Sequence, residues 1–182
     1  KPELITGYFS DGFDFPYIKA RADKFNVKLD LGLDYSDLIS GRSTKYQTGE
    51  SKIKGTVHVD MFKFIKKVFG KNLNLESYSL DNVSNVLLGD KKHDVNLDEL
   101  ANVWDNKPDE LEDFCTYNLH DSHLAHELAE KLLADMIEFV KIIGLPIYDV
   151  IRMSYSRLVE NYILKRSIEY NVLAPNSPSK TE

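Results

Sequence analysis

The longest helical pattern in the sequence, residues 108–144, limits the fold more than any other feature. Acidic residues open this stretch, where the helix dipole favours them, and Gly144 and Pro146 close it. We expect a long amphipathic helix, with a kink or break near Ala134. The residues of one face recur at steps of three and four, which is the spacing of a helix. They are Phe114, Tyr117, Asp121, Leu124, Leu128 and Leu132.

These six residues form a stripe along the helix, and one of them is a carboxylate. Asp121 lies among apolar side chains that face the core, and Tyr117 lies one turn earlier on the same side. An ionised carboxylate is costly in such a place unless it has a partner. Two interpretations stay open at this point: a functional carboxylate in a cleft, or a residue at the stripe's edge held by a Lys, an Arg or a backbone amide.

A second carboxylate stands in a similar setting. Residues 3–9 predict a buried strand, "SDG" at 10–12 predicts a turn, and residues 14–26 predict a helix. Asp14 therefore lies where a strand leads into a helix, and ligands of α/β proteins gather at the carboxyl ends of strands. Two such carboxylates repel unless cations intervene, and Mg²⁺ is a suitable cation because it prefers oxygen ligands. Asp11 is interpreted as a turn residue.

The other segments complete an α/β pattern. Asp60 ends a strand and is expected to cap the helix that follows. Cys115 and Trp104 are expected to pack in the interior or, for the tryptophan, at an interface. The remaining predictions are a hairpin over 42–60 with a turn at Thr48-Gly49, helices over 61–70, 79–89, 96–104 and 148–171, and a linker over 174–182.

The bulk composition fits one ordinary globular domain, with or without an appended segment. The 182 residues are 42% hydrophobic and 29% charged, and no apolar run approaches the ~20 residues of a membrane span. A single cysteine excludes an internal disulfide framework and fits a reducing compartment. The net charge of −6 argues against a broad basic surface for nucleic acid, although an enzyme that binds metal ions also needs local carboxylates.

Two motifs resemble those of a known family. "ITGYFSDGFDFPYI" (5–18) resembles the second motif, and "YNLHD" (117–121) the third motif, of the 3′–5′ proofreading exonuclease domain of family B DNA polymerases, especially the archaeal type. "GTVHVDMFKFIK" (55–66) resembles the passage between them. Residues 143–179 resemble the helical connection to the polymerase palm, so the likeness runs along nearly the whole chain in the family's order.

The resemblance implies an RNase H-like α/β exonuclease fold, N-terminally incomplete, over residues 1–134 and a helical connection over 135–182. It implies two-metal phosphodiester hydrolysis with Mg²⁺ or Mn²⁺. Asp14 and Asp121 would be catalytic metal ligands, and Tyr117 would orient the attacking water. Phe13 would bind DNA by stacking on the terminal nucleotide. The hairpin at 42–59 lies where the family carries one implicated in moving the primer end between sites.

Two departures bear on activity. The family's first motif, Asp-x-Glu, should lie before residue 1, and the palm should follow the last residue. The family's usual Asn in the second motif corresponds to Phe9, which cannot make the same polar contacts. We therefore expect the chain alone to neither polymerise nor degrade DNA efficiently. The alternative is a decayed, non-catalytic exonuclease-like scaffold or DNA-binding domain of a polymerase.

The family also implies partners and a location. These are DNA with a single-stranded 3′ end or a primer-template, the rest of the polymerase chain, a sliding clamp, and the nucleoid of the cytoplasm, with no membrane. A competing zinc hydrolase would use His120, His123 and His126. Their spacing of i, i+3 and i+6 disfavours it, because the third histidine turns away from the first two on a helix.

Overall fold

The computed structural model describes residues 2–41, 49–70, 72–73, 75–90 and 95–175. These residues form two compact units, Lys1–Leu132 and Leu133–Glu182. The functional assignment of residues 1–134 and 135–182 to an exonuclease domain and a connection stays a prediction, because compactness says nothing about function.

Two short parallel strands organise the first unit. Strand β1 (Leu4–Gly7) pairs with β4 (Val57–Asp60) in register from Leu4–Val57 to Gly7–Asp60. Since the strands are parallel, their carboxyl ends lie at the same edge. Strand β1 leads through a turn into helix α1 (Asp14–Lys24), and β4 leads directly into α2 (Met61–Phe69).

Strands β2 (Ile39–Ser40) and β3 (Ser51–Lys52) pair antiparallel and form the base of a hairpin. The predicted bounds of 42–60 are wrong at both ends, because β2 precedes residue 42 and residues 57–60 pair with β1. The hairpin's residues 42–48, and with them the Thr48 half of the predicted turn, lie outside the described part of the chain. Phe15, Leu38 and Ile53 pack into a small core beneath this pair. The hairpin is therefore tied at its base to helix α1, which carries Asp14.

The remaining helices follow the predicted order with shifted ends. Helices α3 (Leu80–Leu88) and α4 (Leu100–Asn106) are short, and a 3₁₀ turn (Pro108–Glu110) precedes α5 (Leu111–Ile143). Helix α5 is continuous, so of the predicted kink or break near Ala134 the break is wrong and the kink stays a prediction. The helix ends as predicted at Gly144, which adopts φ of 82°.

The second unit contains two helices where one was predicted. The segment 148–171 divides into α6 (Ile147–Arg152) and α7 (Tyr155–Glu169). Ser154 causes the division, because its hydroxyl accepts from the Arg157 N–H as an N-cap. The core of this unit is formed by Ile143, Val150 and Leu158. No helix among the described residues is both long enough and apolar enough to span a membrane.

Candidate functional site

A cavity of about 350 Å³ lies in the first unit beside strand β1. Asp14 and Asp121, far apart in the sequence, both line it. Asp14 is exposed at the first turn of α1, and Asp121 is half-buried on α5. The structure thus brings the two sequence-predicted carboxylates to one cleft. The other lining residues are Ile5, Thr6, Gly7, Tyr8, Ser10, Phe15, Ile18, Leu80, Asn118, Ser122 and Ala125.

Local chain geometry explains where Asp14 lies. The turn after β1 is closed by bonds from the Gly12 and Phe13 N–H groups to the Phe9 carbonyl. Helix α1 then begins at Asp14, and Pro16 falls in the first turn, where its missing N–H needs no partner. Of the two flanking phenylalanines only Phe15 is buried, whereas Phe13 is 60% exposed. Asp14 therefore projects from the end of a helix that a single phenylalanine anchors.

The stripe on α5 behaves as its spacing predicts. Leu124, Leu128 and Leu132 are buried, and Asp121 and Tyr117, one and two turns before Leu124, are half-buried. Tyr117 lies on the same face as Asp121 but does not line the cavity. Asn118 does line it. Sequence reasoning missed Asn118, although its place three residues before Asp121 on the same helix was a usable signal.

Asp60 joins the two strand ends beneath the cavity. Its Oδ1 accepts from the Phe9 N–H at 2.9 Å and the Phe62 N–H at 3.1 Å, and its Oδ2 accepts from the Asp11 N–H at 3.0 Å. The predicted cap of α2 is therefore confirmed, with two further bonds that fix the turn. Burial raises the pKa of Asp60, and the Asp11 carboxylate adds to this, while the backbone donors and Lys63 oppose it.

Asp11 is more than the turn residue that the sequence indicated. Its carboxylate is fully buried, accepts from the Ser51 N–H at 2.7 Å and pairs with Lys63 Nζ at 2.8 Å. His58 Nδ1 lies 3.4 Å from the same carboxylate, and His58 Nε2 lies 2.8 Å from Ser10 Oγ. This buried network connects the base of the hairpin, strand β4 and helix α2 to the turn that precedes Asp14.

The expectation of a buried Cys115 is wrong, and of the two expectations for Trp104 only the interface stays a prediction. Cys115 is exposed rather than buried, and Trp104 is 69% exposed, so it does not pack in the core of this chain. Val103 occupies the buried position of α4 beside the tryptophan, and the buried positions of α5 begin only at Leu124, two to three turns after Cys115. Helical spacing alone could not distinguish these neighbouring faces.

The donor chemistry of the cavity fits a hard divalent cation in kind, because carboxylate oxygens are its preferred ligands. The number of carboxylates in the cavity is too small for a complete metal site. Among the residues described, no group of three or more His, Cys, Asp and Glu side chains is arranged to hold a metal ion. The histidines of α5 form no such group either. The ring of His120 lies 3.7 Å from Asp90, and the ring of His126 lies 3.6 Å from Glu130.

Comparison with known proteins shows which proteins the chain resembles. Residues 1–83 match the family described as "DNA polymerase family B, exonuclease domain". The whole chain is 34% identical to "DNA polymerase" of Pyrococcus horikoshii and to "DNA polymerase 1" of Pyrococcus abyssi. Over residues 1–83 the chain matches the exonuclease domain of the family B DNA polymerases, and over its whole length it is similar to these two polymerases. It spans 14% and 23% of the lengths of these two relatives.

The fold of the chain has a solved counterpart. The structure of the family B DNA polymerase from Pyrobaculum calidifontis matches 99% of the chain with a TM-score of 0.81 and 24% identity, over 23% of that polymerase. The predicted RNase H-like α/β fold is confirmed. Exonuclease domains of this family generally use divalent metal ions.

Proposed function

We propose that this chain is part of a family B DNA-directed DNA polymerase and supplies part of its proofreading 3′–5′ exonuclease site. The observation that carries this proposal is the single cavity that Asp14 and Asp121 share at the end of β1. The substrate is a single-stranded DNA 3′ end, and its scissile phosphate lies between the two carboxylates. The rest of the polymerase chain and the primer-template are its partners, in the cytoplasmic nucleoid. A sliding clamp stays a prediction.

Each residue of the proposed site has its own role. Asp14 and Asp121 would hold the divalent ions, which would supply charge stabilisation and an activated water. The Tyr117 hydroxyl, one helical turn from Asp121, orients the attacking water. Phe13 stacks on the terminal base with its exposed ring. Two carboxylates are an incomplete ligand set, so the Asp-x-Glu strand of the family is needed to complete it.

The decisive experiment supplies that strand. We expect little mononucleotide release from 3′-labelled single-stranded DNA by the chain alone with Mg²⁺ or Mn²⁺. A chimera that carries the corresponding first-motif segment of the Pyrococcus abyssi polymerase should release mononucleotides. Asp14→Ala and Asp121→Ala should each reduce this rate by at least about 100-fold, the scale of a lost catalytic electrostatic contact.

A matched control is Asp109→Ala, an exposed acidic residue at the start of the region before α5, which should leave the rate unchanged. Robust release by the unmodified chain, abolished by Asp121→Ala, would refute the predicted inactivity of the chain alone. A folded chimera without activity would refute the exonuclease proposal.

The alternative function is a non-catalytic, exonuclease-like scaffold or DNA-binding domain of a polymerase. One observation favours it: Phe9 replaces the family's usual Asn, and its side chain packs on Phe62 with ring centroids 5.0 Å apart. In this alternative the chimera remains inactive and the variants of Asp14 and Asp121 have no effect on any DNA-dependent reaction.

A further inference from the structure

The face of helix α1 beside the cavity combines aromatic rings with cations. Phe13, Tyr17 and Phe25 are 60%, 54% and 59% exposed, and Arg21 and Lys24 are exposed among them. We call these five residues the α1 stripe. Positions 13, 17, 21 and 25 are successive steps of four, and position 24 falls on the same side.

The rings of the stripe are arranged for stacking. Phe13 and Tyr17 lie with their centroids 5.7 Å apart and their planes 13° apart, so they form an offset stack with a free outer surface. At the other end, the Arg21 guanidinium lies 4.8 Å from the Phe25 ring centroid, and Lys24 Nζ lies 5.8 Å from it. Such cation–ring contacts keep the charges on the aromatic surface.

Neither acidic residue of α1 cancels the cations of the stripe, because Asp14 lies two turns before Arg21 and Asp23 is already paired. Asp14 lines the cavity, and Asp23 forms an ion pair with Lys19 at 2.6 Å. The stripe is therefore locally positive on a chain whose net charge is −6. A local cationic surface that carries exposed rings is the pattern by which proteins bind unpaired nucleic acid: rings stack on bases and cations neutralise phosphates.

We propose that the α1 stripe binds the unpaired nucleotides upstream of the 3′ end, and so extends the binding site beyond the cavity. This rests on the proposed function in that the strand on the stripe is the one whose end enters the cavity beside Asp14. Twelve residue steps along a helix span about 18 Å. That length covers roughly five nucleotides of a stacked strand at 3.4 Å each.

The test measures binding without hydrolysis. Fluorescence anisotropy would follow a fluorescein-labelled oligothymidylate of about 12 nucleotides, within the range of one single-strand site, titrated with the chain in EDTA at low salt. Tyr17→Ala should weaken binding at least about fivefold, as expected for one lost base stack, whereas Tyr17→Phe keeps it within about twofold. Arg21→Ala should lower the salt slope by about one.

Two controls test whether binding depends on the α1 stripe and on the bases of the DNA. Tyr170→Ala removes another aromatic ring, 75% exposed, in the second unit, and should leave the affinity unchanged. An abasic probe of the same length, which keeps the phosphates and lacks the bases, should bind at least about fivefold more weakly than oligothymidylate.

Three results would overturn the proposal: no binding of oligothymidylate by the wild-type chain, equal binding of the abasic probe, or equal affinity of the wild type and Tyr17→Ala. The last result would assign the stripe instead to contact with a protein surface. Because EDTA removes the metal ions, these results are independent of the chimera assay. The two assays therefore distinguish a chimera that does not cleave DNA from an α1 stripe that does not bind it.

Discussion

Phe9 adopts a left-handed backbone conformation, with φ of 60°. This region costs roughly 1–2 kcal/mol for most residues, and Asn tolerates it better than others because its short side chain bonds locally. The ring of Phe9 packs edge-on against Phe62 and leaves no room beside Gly12, where an added Cβ would lie 2.4 Å from Phe9 Cζ. The usual Asn of the family at this position thus has a conformational reason as well as a polar one.

The first prediction separates these two contributions. Phe9→Ala keeps the left-handed backbone and loses the contact with Phe62, so it should lower the free energy of unfolding by about 1–3 kcal/mol. Phe9→Asn loses the same contact but relieves the backbone, and should be more stable than Phe9→Ala by roughly 0.5–1 kcal/mol. Urea unfolding measures both. Equal stabilities would show that the backbone conformation carries no measurable cost here.

Tyr8 provides the pH-dependent prediction. Its hydroxyl donates to the Tyr78 carbonyl at 2.8 Å, and burial, with Asp60 and Tyr78 nearby, raises its pKa well above the usual value of 10. A raised pKa favours the neutral phenol in the folded state. Its stabilising contribution is therefore complete below about pH 10, the unfolded value, and is lost as the pH rises toward the folded value.

We expect Tyr8→Phe to be less stable than the wild type by about 1 kcal/mol at pH 7 to 9, the net contribution of one hydrogen bond. Above pH 10 the difference should shrink, because only the wild type then has a phenol to ionise on unfolding at this position. Urea unfolding of both proteins at pH 7, 9 and 10.5 checks this. A difference that grows with pH would contradict the sign of the pKa shift.

At the scale of elements, the helices show what periodicity does and does not predict. The stripe on α5 gave the correct buried face, and the predicted stop at Gly144 is confirmed by its φ of 82°. The predicted break at Ala134 is wrong, because buried leucines and then Met136 continue the apolar face without a helix-breaking residue. The predicted single helix over 148–171 is wrong for a local reason, the cap at Ser154.

The continuity of α5 gives an element-scale prediction. Ala134 is an exposed position inside the helix, so Ala134→Gly should lower the free energy of unfolding by about 1 kcal/mol through backbone entropy. Ala174→Gly, in the non-helical segment after α7, is the matched control and should have a smaller effect. Thermal unfolding followed by circular dichroism measures both. Equal effects would contradict a continuous helix at residue 134.

At the scale of the whole molecule, the cavity depends on tertiary structure. Asp14 of α1 and Asp121 of α5 line one cavity although they lie far apart in the sequence. We predict that Mn²⁺ binds there weakly, with a dissociation constant on the order of 1 mM, as expected for a sparse set of oxygen ligands. Electron paramagnetic resonance of free Mn²⁺ measures this binding.

Asp14→Asn and Asp121→Asn should each abolish the Mn²⁺ binding, and so should unfolding in urea. Asp109→Asn should not. Binding that survives both cavity substitutions, or that persists in the unfolded chain, would place the metal on other surface carboxylates.

The sequence by itself determined the order of the elements, the cap at Asp60, the buried face of α5 and the two carboxylates, because helix spacing and turn chemistry act locally. Tertiary structure alone decided that Asp11 is fully buried against Lys63 and that Phe13 points outward to begin the α1 stripe. The reason is physical: whether a polar or aromatic side chain is buried depends on which distant elements cover it, and local spacing carries no information about that cover.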